Sequence, residues 1–316
     1  MGVESSRAAG VFPRLVLLRP SAAGGWSVGS DADSSVAGDA VDAANPHPMP
    51  TLTELGRDLL TVPRCRIAFS LALPFVLVAG YFLLASAGLW PLAVACVVAL
   101  SFVTFGSVSH DLVHRSLGLP RRGNEAFLTA IELLMLRSGR AYRLSHLNHH
   151  ARYPHGDDPE GAAAHGTALA SLLGGPIYFI RLWVWAFLEH SAHRQRLLTE
   201  ALAGGVLAIG AVAVAEFTVI PLVYIALAYG GTWVVPFATS FVPHTPRGDG
   251  SLGQTRRFRG WAARALAFDH LYHLEHHLYP AVPHHRWRAL ARRLDPHLDR
   301  AGVPAVALGP RFGAFR

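Results

Sequence analysis

The stretch IAFSLALPFVLVAGYFLLASAGLWPLAVACVVALSFVTFGSVS, residues 67–109, runs for 43 residues without a charged side chain. An α-helix rises about 1.5 Å per residue and the hydrocarbon core of a bilayer is about 30 Å thick, so about 20 residues make one crossing. The stretch is long enough for two crossings, and Gly88, Trp90 and Pro91 interrupt its middle. It predicts a transmembrane hairpin with spans at 67–87 and 89–109. Composition points the same way, with 51% hydrophobic residues, 16% charged residues and a mean hydropathy of +0.30. A soluble domain of this size carries about a quarter charged residues. The same figures exclude a disordered or collagen-like chain, and two cysteines, Cys65 and Cys96, are too few for a disulfide scaffold or a thiolate zinc cage.

A second apolar block, residues 201–243, is broken by Glu216 and Pro221 and predicts two further spans at 199–216 and 219–241. The net charge of +7 comes from 28 basic residues, every one an arginine, and none falls in the connections around Gly88 or Glu216. By the positive-inside rule this puts both termini in the cytoplasm. It accounts for the basic pI without nucleic acid, for which the chain has no recognition helix, aromatic platform or finger pattern. Residues 167–187, interrupted by Pro176 and Arg181, and residues 127–136 are read as interfacial or re-entrant helices. The expected fold class is therefore an all-α polytopic membrane protein, with four helices in two hairpins beneath a cytoplasmic helical cap that holds a di-metal site. Residues 1–48, rich in Gly, Ser, Ala and Asp, are expected to form a disordered tail, 49–300 the membrane domain and 301–316 a C-terminal tail. No signal-peptide pattern is evident, and Met49 offers an alternative start.

Histidine is the other anomaly, at 18 residues. Eight of them fall in three short windows: His110 and His114 in HDLVH, His146, His149 and His150 in HLNHH, and His273, His276 and His277 in HLEHH. On a helix, positions i, i+3 and i+4 share a face, so each window aims its imidazoles at one point. A lone HxxxH is more often a capped or solvated pair than a metal site. Three such windows on one predicted side of a membrane are not explained by packing, because unpaired buried imidazoles are costly and need donors or a cation. A catalytic zinc ion uses about three protein ligands, so this many rings imply two ions. Imidazole suits iron, copper, nickel and zinc alike, and the ligand atoms alone do not choose among them.

In this order, between and after two predicted hairpins, the three windows resemble the histidine boxes of the membrane fatty acid desaturase and hydroxylase superfamily. The resemblance extends over roughly residues 65–295. It implies a non-haem di-iron enzyme that uses O2 and two electrons from an outside donor. The iron ligands it implies are His110, His114, His146, His149, His150, His273, His276 and His277, with His244 of FVPHTP as a ninth. The bland alternative for His244 is a helix-end cap. His270, one turn before His273, is a possible substitute for it. Asp111, Asp269 and Glu275 lie inside or beside the boxes and are read either as acceptors of a ligand's second ring N–H or as solvated charges. The acidic loop YPHGDDPEG resembles the stretch that follows the second box in relatives, so Asp157 and Asp158 are expected to order it around the site, with His155 undecided. His284 and His285, with His47, His165, His190, His193 and His297, lack box spacing and are expected at surfaces or interfaces.

Within this superfamily the boxes do not decide between desaturation and hydroxylation. The reading adopted is an acyl-lipid desaturase that takes its lipid substrate sideways from the bilayer. The HDxxH box, the PHTP element and HLEHHLYPAVP also resemble bacterial carotenoid ketolases and hydroxylases. No HPGG haem element, Rieske pair or GxGxxG motif is present, so the electrons are expected from a ferredoxin or a flavin reductase. Arg256, Arg257, Arg259, Arg288, Arg292 and Arg293 are the expected docking face for such a donor, unless they serve lipid headgroups. Two readings of another class remain: a zinc-dependent membrane hydrolase, which leaves most of the histidines unexplained, and a metal transporter. A transporter places polar ligands near the midplane of its spans, whereas residues 67–109 offer only Cys96 and Tyr81. The expected location is a bacterial plasma membrane.

Overall fold

The computed structural model describes residues 48–265 and 269–309. The expected tail at residues 1–48 lies almost wholly outside them, as do the last residues of the expected C-terminal tail. The described residues are mostly helical. Three helices are long and apolar enough to cross a membrane: Arg57–Ser86, Trp90–His114 and Ser191–Ala213.

Helix α1 (Arg64–Ser86) and helix α2 (Trp90–His114) pack along each other. Gly88 joins them at φ +75° with no atom close to its missing Cβ, a left-handed turn that glycine makes without strain. Phe69, Val76 and Leu83 on the outer face of α1 are 54%, 61% and 72% exposed. A contiguous apolar face of this kind is costly in water and suited to lipid, so it places the protein in a membrane. Helices α3 (Arg121–Leu134) and α4 (Gly139–Arg152) follow, joined through a turn in which Arg137 and Glu132 form a buried ion pair at 2.8 Å. Such a pair is tolerated only with further partners, and Arg137 has them in Thr104 and the face of Phe179.

The stretch expected to be one interfacial helix at 167–187 is broken at Gly174–Pro176, and helix α5 (Tyr178–Glu189) begins after the break. A Cβ on Gly175 would collide with the Trp233 carbonyl, and Tyr229 and Trp233 donate hydrogen bonds to the Pro176 and Leu172 carbonyls. Helix α6 (Arg194–Ala213) starts earlier than the expected span at 199–216. Helix α7 (Ile220–Gly231) has 12 residues and so reaches only about 18 Å. The expected continuous span at 219–241 is not one helix. It ends at the Gly230–Gly231 pair, where helix propensity is poor, and resumes as a π turn, Phe237–Phe241, after Pro236, which lacks an N–H. The Tyr81 hydroxyl donates to the Ile220 carbonyl at 2.7 Å, which brings the start of α7 to the Gly88 end of α1.

Helix α8 (His273–Leu278) has only six residues, too few to be stable alone. It is held by helix α9 (Trp287–Arg300), whose inner face packs Trp287, Leu290, Leu294 and Leu298 against Leu274, Leu278, Leu55 and Leu59. Fully burying a side chain of this size is worth about 1.5–3 kcal/mol. Strand β1 (Arg257–Arg259) pairs in parallel with β2 (Ala305–Ala307), so part of the expected C-terminal tail is tied to the core.

Candidate metal centre

Two π turns lie just ahead of the site. In α2 the turn Thr104–Val108 precedes the last helical segment, which carries His110 and His114, and the turn Phe237–Phe241 precedes His244. Single π turns accommodate an extra residue in a helix and recur at functional sites. Helix α4, capped at its start by the Ser138 hydroxyl, carries His146, His149 and His150 on its last two turns. Helix α8 supplies His273, His276 and His277.

These elements bring nine imidazoles together in two neighbouring sets. His110, His114, His146, His150 and His276 form the first, and His149, His244, His273 and His277 the second; within each set the ligand-competent atoms lie within 4.8 Å of one another. His150 and His277 link the sets, with ring centroids 4.5 Å apart. Burial and the charge of neighbouring rings push His150, His244, His273, His276 and His277 well below the ordinary imidazole range, which keeps them neutral. Burial also lowers His149, but the hydrogen bond and charge of Asp158 outweigh it and leave it raised.

The hydrogen bonding of the second set suits a cation. His244 donates its Nδ1–H to the Ser240 carbonyl at 2.8 Å, so its Nε2 carries a single lone pair. That Nε2 faces the Nε2 atoms of His149, His273 and His277 at 3.1, 3.1 and 3.2 Å. One lone pair accepts from one of the three and is opposed by the others unless a positive ion sits among them. In the first set, His276 Nε2 lies 3.0 Å from that of His110 and 2.7 Å from that of His150. All-imidazole sets of five and four fit two ions of the borderline metals, iron among them.

Two carboxylates aim the rings. His149 Nδ1 donates to Asp158 and His146 Nδ1 to Glu160, each at 2.6 Å. Asp158 therefore does order the acidic loop at the site, while Asp157 pairs with Arg152 on the outside. Gly161 lets the loop close, since a Cβ there would meet the Asp158 carboxylate. Glu160 was not anticipated, although the acidic run DDPEG just after the second window carries it.

Asp111, Asp269 and Glu275, read either as acceptors from a ligand ring or as solvated charges, have other partners. Asp111 accepts from the backbone N–H and Nδ1–H of His284 at 2.8 and 2.9 Å, Glu275 accepts from Arg259, and Asp269 pairs with Arg288 at 3.2 Å. His284, expected at a surface or interface, is buried. Trp287 walls the first set, with its ring 4.9 Å from His276 and 5.2 Å from His110. His270 belongs to neither set and does not replace His273. Of the arginines expected to face a partner, Arg257 and Arg259 are engaged by Asp295, Arg288 by Asp269 and Arg293 by Asp58.

His285 lies half-buried outside both sets. Alanine at His285 should leave metal content at the wild-type level on metal analysis, and a loss there would make His285 a ligand.

A comparison with curated proteins finds no match. A family profile described as fatty acid desaturase matches residues 87–308, well over half of the chain and inclusive of all nine histidines. The chain belongs to the fatty acid desaturase family.

Proposed function

We propose that the protein is an O2-dependent di-iron oxidoreductase of lipid metabolism, and that its reaction is acyl-lipid desaturation. The observation that supports this reading is the convergence of nine imidazoles from four separate parts of the chain into adjoining sets of five and four. When bound, a pair of irons supplies O2 activation and the oxidation of an unactivated C–H bond. The chain's part is to hold the ions, with Asp158 and Glu160 fixing which ring nitrogen of His149 and His146 is presented. Apolar outer faces on α1 and α6 suit a substrate that arrives from the lipid phase.

In this reading the electrons come from a ferredoxin or flavin reductase in solution. Arginine-free connections near Gly88 and Glu216 support cytoplasmic termini, and the membrane in this reading is a bacterial plasma membrane. A one-zinc hydrolase uses about three protein ligands and leaves the second set without a purpose. Carotenoid oxidation is the rival within the family, supported by the sequence elements HDLVH, PHTP and HLEHHLYPAVP.

One experiment separates these readings. The protein is expressed in a host with ordinary lipids and in one that makes β-carotene, both lipid extracts are analysed by mass spectrometry, and the purified protein is analysed for metal. Two irons per chain with new acyl double bonds is the expected result. Oxygenated β-carotene would shift the substrate to isoprenoids, and a single zinc ion would overturn the oxygen chemistry.

A further inference from the structure

A cluster of charge lies outside the two metal sets, where helices α3, α4 and α6 begin. Four arginines, Arg121, Arg122, Arg140 and Arg196, wall an open pocket of about 610 Å³ together with Glu125 and Ala126. Glu125 is the hub. Its carboxylate meets Arg140 and Arg196 at 2.9 Å each, Arg143 at 3.3 Å and Arg115 at 3.4 Å. One carboxylate does not neutralise four guanidinium groups. The second acid in contact, Glu200, pairs with Arg196 at 3.1 Å and is otherwise filled by the Thr129 and Ser138 hydroxyls and the Arg140 backbone N–H.

Arg121 and Arg122 add two more charges. Both are exposed, and neither has an acidic partner among the described residues. Six arginines against two carboxylates leave a surplus of four positive charges in one place. Burial lowers Arg143 to about 10, and Arg115, Arg140 and Arg121 add to the fall against the pull of Glu125. An anion brought into the pocket relieves this repulsion. The positive end of the α3 dipole favours it too, because the pocket lies against the first two turns of that helix.

The place of the pocket says which anion. Arg196 stands near the start of the candidate span Ser191–Ala213, and Leu198 and Leu202 on the same helix, with Phe127 next to Ala126, are exposed and apolar. The pocket therefore sits at headgroup depth, between a charged surface and a lipid-facing one. Its volume falls in the range of about 300–1,000 Å³ that small-molecule sites occupy, so it has room for a headgroup. Guanidinium groups match phosphate oxygens in a planar, two-pronged fashion. Glu125 fixes Arg140 and Arg196 as a prepared surface, and Arg121 and Arg122 are left to engage the ligand.

We propose that this pocket binds the phosphate of an anionic membrane lipid, whose chains lie against the exposed apolar start of α6. The lipid held here is a neighbour of the enzyme rather than its substrate, and the proposal stands apart from the chemistry at the metal sets.

The test uses the full chain in a neutral maltoside detergent. The probes are dioctanoyl phosphatidylglycerol, dioctanoyl phosphatidylcholine and free glycerol phosphate, with apparent affinity read from the ligand dependence of the melting temperature. Wild-type protein is expected to bind the anionic lipid about tenfold more tightly than the zwitterionic one, and to be unmoved by glycerol phosphate. The double change Arg121→Gln with Arg122→Gln should erase that preference. So should Ala126→Glu, which puts a negative charge in the wall and touches no arginine. Arg292→Gln with Arg300→Gln removes the same charge from α9 and should leave the preference intact. Equal binding of the two lipids by the wild type, or a preference that survives in both pocket variants, would overturn the proposal. Loss of the preference in the α9 variant would overturn it in favour of diffuse attraction by the whole basic face. A shift with glycerol phosphate as large as that with the anionic lipid would make the ligand a free phosphate and overturn the membrane source.

Discussion

Alanine at His149 is expected to lower bound iron from two ions toward one per chain, and to reduce turnover by more than about 100-fold, beyond what the loss of a carboxylate partner to a ligand costs. His149 is one of only four imidazoles in the second set, and the three that remain, His244, His273 and His277, form a poorer site than the five-ring set beside it. The substitution also leaves the buried Asp158 carboxylate without its ring partner, which costs folding stability about 1–3 kcal/mol. Neither effect reaches the spans. Helix α4 keeps its Ser138 cap, and alanine is a better helix former than histidine. The variant should therefore be recovered from the membrane fraction at normal yield. Metal analysis of the purified variant decides the matter: iron at the wild-type level would remove His149 from the ligand set and with it the division into five and four.

The parts of this molecule that were legible in the sequence carry a periodic or extended signal. Residues 67–109 announce two helices because a charge-free run of that length has no other economical use, and the box histidines repeat at the spacing of one helix face. The fourth arm was not legible. Hydropathy treats 219–241 as continuous, whereas Gly230, Gly231 and Pro236 break the backbone inside it. Position within a box misled in another way. Neighbours on a helix point about 100° apart, so a carboxylate beside a ligand faces away from the ion that the ligand faces. Asp111 accordingly reaches His284, and Glu275 reaches Arg259. The carboxylates that do meet ligand rings stand outside the helix, on a loop that folds back over it, and no helical period reports such a contact.

That loop supplies the second large expectation. Asp158 holds His149, of the second set, and Glu160 holds His146, of the first, so each carboxylate should tune a different ion. Asp158→Asn and Glu160→Gln preserve shape and can still accept the ring N–H, but each removes the negative charge that makes its histidine a stronger donor. Loss of such a partner typically weakens metal affinity by about 10–100-fold. Dialysis of each purified variant against a graded series of chelator should therefore strip one iron at a lower chelator concentration than in the wild type, with the other iron following at close to its normal concentration. Asp158 accepts the backbone N–H of Glu160 at 3.0 Å through its other oxygen, a bond that Glu160→Gln leaves intact, whereas the single amide oxygen of Asp158→Asn can keep either that bond or the one from His149 but not both. In the double variant both irons should leave early, because the two carboxylates act on separate sets. If instead each single change released both irons together, the sets would be one cooperative cluster rather than two sites, and the ligand partition into five and four would lose its chemical meaning.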